Sequence, residues 1–212
     1  MLVKPAFERL APERRKKLLD TAILLYLEQP YDQITIRMLV DRLQINMNTF
    51  YRYFESKDDL FLYIYRSIVF RLLPFYDADR LLEGFQELPE GVLSEIEERF
   101  AGLASIPDDL MHRMYFEVKE ELEAVYRKAL EQKKERGLLW EDVDIDLLAC
   151  MYVTTGYNLL MYWKEKTHGR PISDPQGNVD PEWKRMKEYF YYHFFNYGIL
   201  RRTKDENTDR AG

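Results

Sequence analysis

The chain has 212 residues, 46% hydrophobic and 32% charged, with nine glycines and nine prolines. That composition supports a packed core and excludes collagen-like, low-complexity and turn-dense β-rich architectures. The single cysteine, Cys150, excludes an internal disulfide, and the net charge of −6 is unevenly shared: residues 1–73 hold twelve Lys/Arg against nine Asp/Glu, residues 74–212 nineteen against twenty-eight.

A slightly basic head therefore precedes an acidic body. Phosphate attraction is local, screened beyond about 8–10 Å, so an acidic chain with a basic head still suits nucleic acid. No window approaches eighteen uncharged apolar residues, so no membrane span is expected. The start, Met1 to Glu8, lacks the apolar stretch of a signal peptide, so the expected location is cytoplasmic.

The periodicity is helical nearly throughout, which predicts an all-α chain. Pro12 and Glu13 suit the first turn of a helix whose apolar stripe is Leu18, Leu19, Ala22, Ile23, Leu25 and Tyr26, stopped by Pro30. Thr35 caps a short second helix running to about Arg42, and Asn46 a third running to about Tyr53. Ser56 with Asp59 resembles a capping box for a fourth helix, through Leu60, Phe61, Ile64, Ile68 and Leu72, ending before Pro74. Further helices are expected at 89–105, at 108–136 (stopped by Gly137), at 142–166, and from Pro181 to about Arg202. A breaker-rich loop, 168–180, separates the last two.

Two short helices joined by a tight turn suggest a helix-turn-helix. A short helix fits the major groove with its amino-terminal side chains at base edges. Here those are Asn46, Met47, Asn48 and Thr49. Asparagine pairs bidentately with adenine, and a threonine methyl meets the thymine methyl. Tyr51, Arg52, Tyr53 and Lys57 follow within reach of phosphates, with Thr35 and Arg37 as further contacts from the second helix. Phe50 and Phe54 are expected in the core.

The run Thr35 to Leu60, TIRMLVDRLQINMNTFYRYFESKDDL, resembles the amino-terminal domain of the tetracycline-repressor (TetR) family of bacterial transcription regulators. Its most specific part is Thr49 to Lys57, TFYRYFESK, and Leu18, Leu19, Ala22, Leu25 and Tyr26 resemble the family's first helix. The chain departs from the family pattern at Pro30 and Gln44, usually glycine, and at Val40 and Leu43, usually alanine. A small residue, often glycine, is common where Asn48 stands. A left-handed backbone at Gln44 would carry strain of order 1 kcal/mol. These departures bear on helix crossing and base preference.

The resemblance implies a DNA-binding domain over 1–56, a connecting helix over 57–73, and an effector-binding and dimerisation domain over 74–212. It also implies a homodimer through about 142–166 and 182–202, each head reading one half-site of a near-palindromic operator, with reading helices about 34–36 Å apart. A small-molecule effector in the body would release the DNA, so the expected role is repression. The alternative reading is a ligand-sensing or protein-interaction module, a coactivator, with the same fold and no DNA binding.

The body is rich in aromatics at helical spacings, and aromatic-lined pockets suit flat or apolar ligands. Phe100, Met111, His112, Tyr115, Phe116, Tyr152, Thr155, Tyr157 and Asn158 are the candidate effector contacts. For Phe100, Tyr115, Phe116, Tyr152, Tyr157 and Trp163, all at helical spacings, the default reading is core packing. The run Tyr189 to Phe195 covers every face of a helix, which points to a subunit interface. Nothing points to an enzyme, a cofactor or a metal: His112, His168 and His193 form no ligand spacing, Cys150 falls mid-helix, and no glycine-rich phosphate loop occurs.

Overall fold

The computed structural model describes residues 2–72, 106–170, 172 and 178–190. The expected helix at 89–105, the candidate contact Phe100, and the expected last helix beyond Phe190 lie outside these residues. The regular elements described are α1 (Pro5–Glu8), α2 (Pro12–Glu28), a 3-10 turn (Tyr31–Gln33), α3 (Ile36–Leu43), α4 (Met47–Tyr53), α5 (Lys57–Leu72), α6 (Asp108–Glu135), α7 (Ile145–Lys166) and α8 (Pro181–Glu188). The all-α expectation holds.

The helix ends follow the capping chemistry. The Thr35 hydroxyl accepts from Met38 N at 3.2 Å, Asn46 Oδ1 from Thr49 N at 2.8 Å, and Ser56 Oγ from Asp59 N at 3.1 Å. Asp144 Oδ1 accepts from Leu147 N at 2.9 Å. That cap starts α7 at Ile145, three residues after the expected start at 142. Gly137 sits at φ 71 just past α6. There Leu138 N bonds Lys133 O and Gly137 N bonds Lys134 O, the paired closure for which glycine is the usual residue.

The turn between α3 and α4 closes in the same way without glycine. Ile45 N donates to Val40 O at 3.1 Å and Gln44 N to Asp41 O at 3.3 Å. Gln44 takes the left-handed conformation this needs, φ 53 and ψ 43. Ile45 then packs on the core, the apolar contact that accompanies such closures. The left-handed turn at Gln44 is therefore present, and its strain is offset by two hydrogen bonds and the half-buried Ile45 side chain.

One element was not foreseen. The Lys4–Pro5 step opens the four-residue helix α1, which drives Phe7 fully into the head core. Its ring lies 4.8 Å from Phe54, 5.7 Å from Tyr53 and 5.6 Å from Tyr63. A helix of one turn leaves no periodicity to detect, and only proline at its first position marked it.

Among the described residues, the buried ones form three clusters. The head core gathers Val3, Phe7, Ala22, Leu25, Ile34, Leu39, Val40, Leu43, Phe50, Tyr53, Phe54, Leu60, Ile64 and Ile68. Val40 and Leu43 fill the α3 side of it, where smaller residues would let the two short helices approach more closely. The body core joins α6 to α7 and α8 through Tyr126, Leu130, Tyr152, Leu159, Trp163 and Trp183, with the Tyr126 and Tyr152 rings stacked 5.1 Å apart. A smaller joint cluster lies between them: Tyr31 and Leu62 from the head side, with Ile106 just before α6 and Leu110, Met111 and Met114 from its start.

Gln44→Gly should raise stability by about 0.5–1 kcal/mol, because glycine takes positive φ without steric cost. Gln44→Val should lower it. Urea midpoints of the two variants check this, and a destabilised Gln44→Gly would contradict the left-handed turn.

Candidate nucleic-acid interface

Helix α4 spans seven residues, so each face is short and can be assigned residue by residue. Phe50 and Tyr53 face the head core, with exposures of 0% and 2%. The opposite face pairs Met47 with Tyr51 and Asn48 with Arg52 at i, i+4 spacing, and all four are exposed. Asn46 and Arg37 are exposed too, as is the cap Thr35, while Thr49 is half-buried. The head thus presents two amides, a methionine, a phenol and a guanidinium group on its turn and reading helix, with the Arg37 guanidinium beside them on α3. Exposed Arg14, Lys16 and Lys17 at the start of α2 add positive potential.

Two of the ten residues expected to meet DNA sit elsewhere. Tyr53 is buried, with Phe7 and Phe54 as ring neighbours, 5.7 Å and 6.3 Å away, and the Arg52 guanidinium 5.5 Å from its centroid. The Lys57 ammonium donates to Tyr31 O at 3.0 Å and Ile34 O at 2.8 Å, and it lies 4.4 Å from the Tyr31 ring centroid. Lys57 therefore ties the chain entering α3 to the start of α5. The signature around Thr49 to Lys57 mixes exposed residues with residues that hold the reading helix, and sequence alone did not separate them.

The same corner joins head to body. Tyr31 Oη donates to Asp58, and Tyr26 Oη donates to Lys57 O at 3.2 Å. Burial pushes both phenols well above their ordinary pKa, Tyr31 also through its hydrogen bond to Asp58 and both through the Asp58 charge, so they remain neutral donors. From α6, Arg113 Nη2 donates to Asp59 at 2.8 Å, and its other guanidinium nitrogen lies 3.8 Å from Asp58. Arg66 of α5 pairs with Glu117 and Glu121 further along α6. Arg113 was not foreseen, since an arginine on a long charged helix carries no local signal.

The candidate effector contacts fall into three groups. His112, Tyr115, Phe116 and Tyr157 meet at the α6–α7 surface: His112 Nδ1 is 3.3 Å from Tyr157 Oη, and the Tyr115 and Tyr157 rings are 4.8 Å apart. Phe116 stacks edge-on to His112 at 4.8 Å and is 58% exposed. Tyr115 Oη is 3.1 Å from Thr154 Oγ1, with half-buried Thr155 and exposed Asn158 on the same helix, α7. Tyr152 belongs instead to the buried stack with Tyr126, and Met111 to the joint.

Lys57→Met should cost about 2 kcal/mol, because two carbonyls lose a charged donor. A urea midpoint unchanged from the parent would return Lys57 to the surface set.

Residues 18–64, from the second turn of α2 to the middle of α5, match the family described as bacterial regulatory proteins, tetR family. Among solved structures, the chain resembles a protein of Syntrophomonas wolfei described as a TetR-family transcriptional regulator. Its TM-score is 0.53 at 20% identity, covering 85% of this chain and 93% of that one. The fatty acid degradation regulator FadR of Bacillus halodurans gives 0.52 at 16%, covering 88% and 98%. Regulatory protein TetR of Rhodobacter sphaeroides gives 0.50 at 16%, covering 85% and 97%. No curated protein matches the sequence. At these identities the structures speak for the fold, and the matched residues speak for the head. Residues 18–64 are thus similar to the helix-turn-helix domain of the bacterial regulatory proteins of the tetR family.

Proposed function

We propose that the chain is a sequence-specific transcriptional repressor. It acts in the cytoplasm as a homodimer on a near-palindromic operator, and a small-molecule effector bound in the body releases it. The observation that carries this reading is the division of α4. One face is locked into the head core by Phe50 and Tyr53, and the other offers Met47, Asn48, Tyr51 and Arg52 to a groove. Asn46 and Asn48 suit adenine edges, and Thr49 suits a thymine methyl. Thr35, Arg37, Tyr51 and Arg52 suit phosphates. Tyr53 and Lys57 hold the helix that carries them. The division into a head (1–56), the linking helix α5 and a body (74–212) belongs to this proposal.

Dimerisation through α7 is supported by an exposed apolar stripe. Leu147 is 56% exposed, Met151 39% and Tyr162 52%, on one face of a helix whose other face is buried in the body core. Large apolar side chains left in water along one helix face call for a partner, and a second copy provides the same stripe.

Effector control is supported by the order of residues along α6. His112 and Tyr115 lie in the aromatic cluster that suits a flat or apolar ligand, while Met111, Arg113 and Met114 lie in the joint. A ligand that favours one seating of α6 shifts α5, and with it the head spacing, only if it binds the two seatings with different affinity.

Selection from random-sequence duplexes should enrich a near-palindrome. Asn48→Ala should change the preferred bases at one position of each half-site. Arg37→Ala and Arg52→Ala should each weaken binding to all sequences and reduce the salt slope by about 0.9 per phosphate contact per head. Failure to bind any duplex at low salt would overturn the proposal in favour of the interaction-module reading. Met151→Glu should halve the particle mass measured by light scattering. An unchanged mass would place the interface elsewhere.

A further inference from the structure

The carboxyl end of the reading helix is closed by a residue 47 positions earlier in the chain. A helix leaves its last four carbonyls without helical donors. In α4 these belong to Phe50, Tyr51, Arg52 and Tyr53. Phe50 O receives Phe54 N at 2.9 Å. Tyr53 O receives the backbone N–H of Lys4 at 2.9 Å, and Tyr51 O receives the Lys4 ammonium at 3.0 Å. One residue thus supplies two of the four donors. Its positive charge also sits at the negative end of the helix dipole.

Lys4 is itself fixed from behind. It is the N-cap residue of α1, and its carbonyl accepts from Phe7 N at 2.9 Å. Phe7 is fully buried against Tyr53 and Phe54, and Val3 is buried beside it. The ammonium also lies 3.2 Å from Glu55 Oε1, an exposed carboxylate just beyond α4. Neutralised by Glu55 and committed to a carbonyl, this charge is poorly placed for a phosphate.

We propose that Lys4 is a positioning residue for DNA reading. It clamps the last turn of α4, which carries Tyr51 and Arg52, to the core anchored by Phe7. This rests on the DNA-reading proposal above. A two-turn helix has little stability of its own, and an unclamped last turn would leave its two exposed side chains loosely aimed. The clamp should therefore govern operator affinity more than non-specific affinity.

The test uses the full chain with Lys4→Met, Lys4→Arg and Glu55→Gln, titrated against a selected operator and an unrelated duplex at several salt concentrations. Lys4→Met should weaken operator binding about tenfold and leave non-specific affinity and the salt slope unchanged. Lys4→Arg should retain operator binding, because a guanidinium can donate to the same carbonyl. Glu55→Gln should leave the salt slope unchanged. The proposal is overturned if Lys4→Met lowers operator and non-specific affinity alike with a slope smaller by about 0.9 per head, or if Glu55→Gln raises the slope, since both results mark a phosphate contact. Unchanged operator affinity in Lys4→Met also overturns it. Should Lys4→Met not fold, the Glu55→Gln slope decides. Should the parent bind no DNA, the DNA-reading proposal fails by itself. The clamp is then read from amide exchange at Phe54, which should be faster in Lys4→Met, and equal exchange would refute it.

Discussion

A helix of two turns cannot hold itself in water, because the cost of ordering its first turn is not repaid over so few residues. The reading helix α4 is such a helix, and much of the head is arranged to supply what it lacks. Phe50, Tyr53 and Phe54 provide apolar contact on one side, against Phe7, Leu39, Leu43 and Leu60. Asn46 satisfies the first turn, and Lys4 satisfies the last. The left-handed Gln44 sets the angle at which α4 leaves α3. Only after those demands are met does α4 have a spare face, and that face carries the amides and the guanidinium group suited to DNA.

The second structural dependence is the corner where α5 begins. Lys57, Tyr31 and Asp58 tie the entrance of α3 to α5, and Arg113 ties α5 to α6. The packing beneath is apolar and includes Leu62, Leu110, Met111 and Met114. An ion pair more than a third exposed adds little stability by itself. Its value here is geometric: it fixes which part of α6 faces the start of α5. On the proposed mechanism, that contact carries the effector's signal, and α6 bears the aromatic cluster one residue away.

Much of this was legible from residues alone, for identifiable reasons. Thr35, Asn46 and Ser56 are cap residues, and each caps the helix it announced. Gly137 and Pro30 stop helices because of their backbone chemistry. Phe50 and Phe54 were placed in the core by spacing, and both are buried. The left-handed conformation at Gln44 was suggested only by the glycine usual at that position in the family it resembles, not by the residue itself. What was not legible depends on contacts distant in sequence. Lys4 and Phe7 act on a helix nearly fifty residues away, in an element too short for periodicity. Tyr53 and Lys57 have side chains suited to phosphate, and only tertiary packing shows one in the core and the other on two carbonyls. The candidate effector residues on α6 and α7 lie at helical spacings, yet the two helices divide them among a surface cluster, a buried stack and the joint.

The central claim is that a locked α4 reads DNA by sequence. It is tested most directly by a gel shift of the purified chain against DNA flanking its own gene, at two salt concentrations with excess unrelated competitor. The account predicts a discrete complex that survives competitor and weakens steeply with salt, as phosphate contacts require. No complex at low salt, on this DNA or on random duplex, would contradict it.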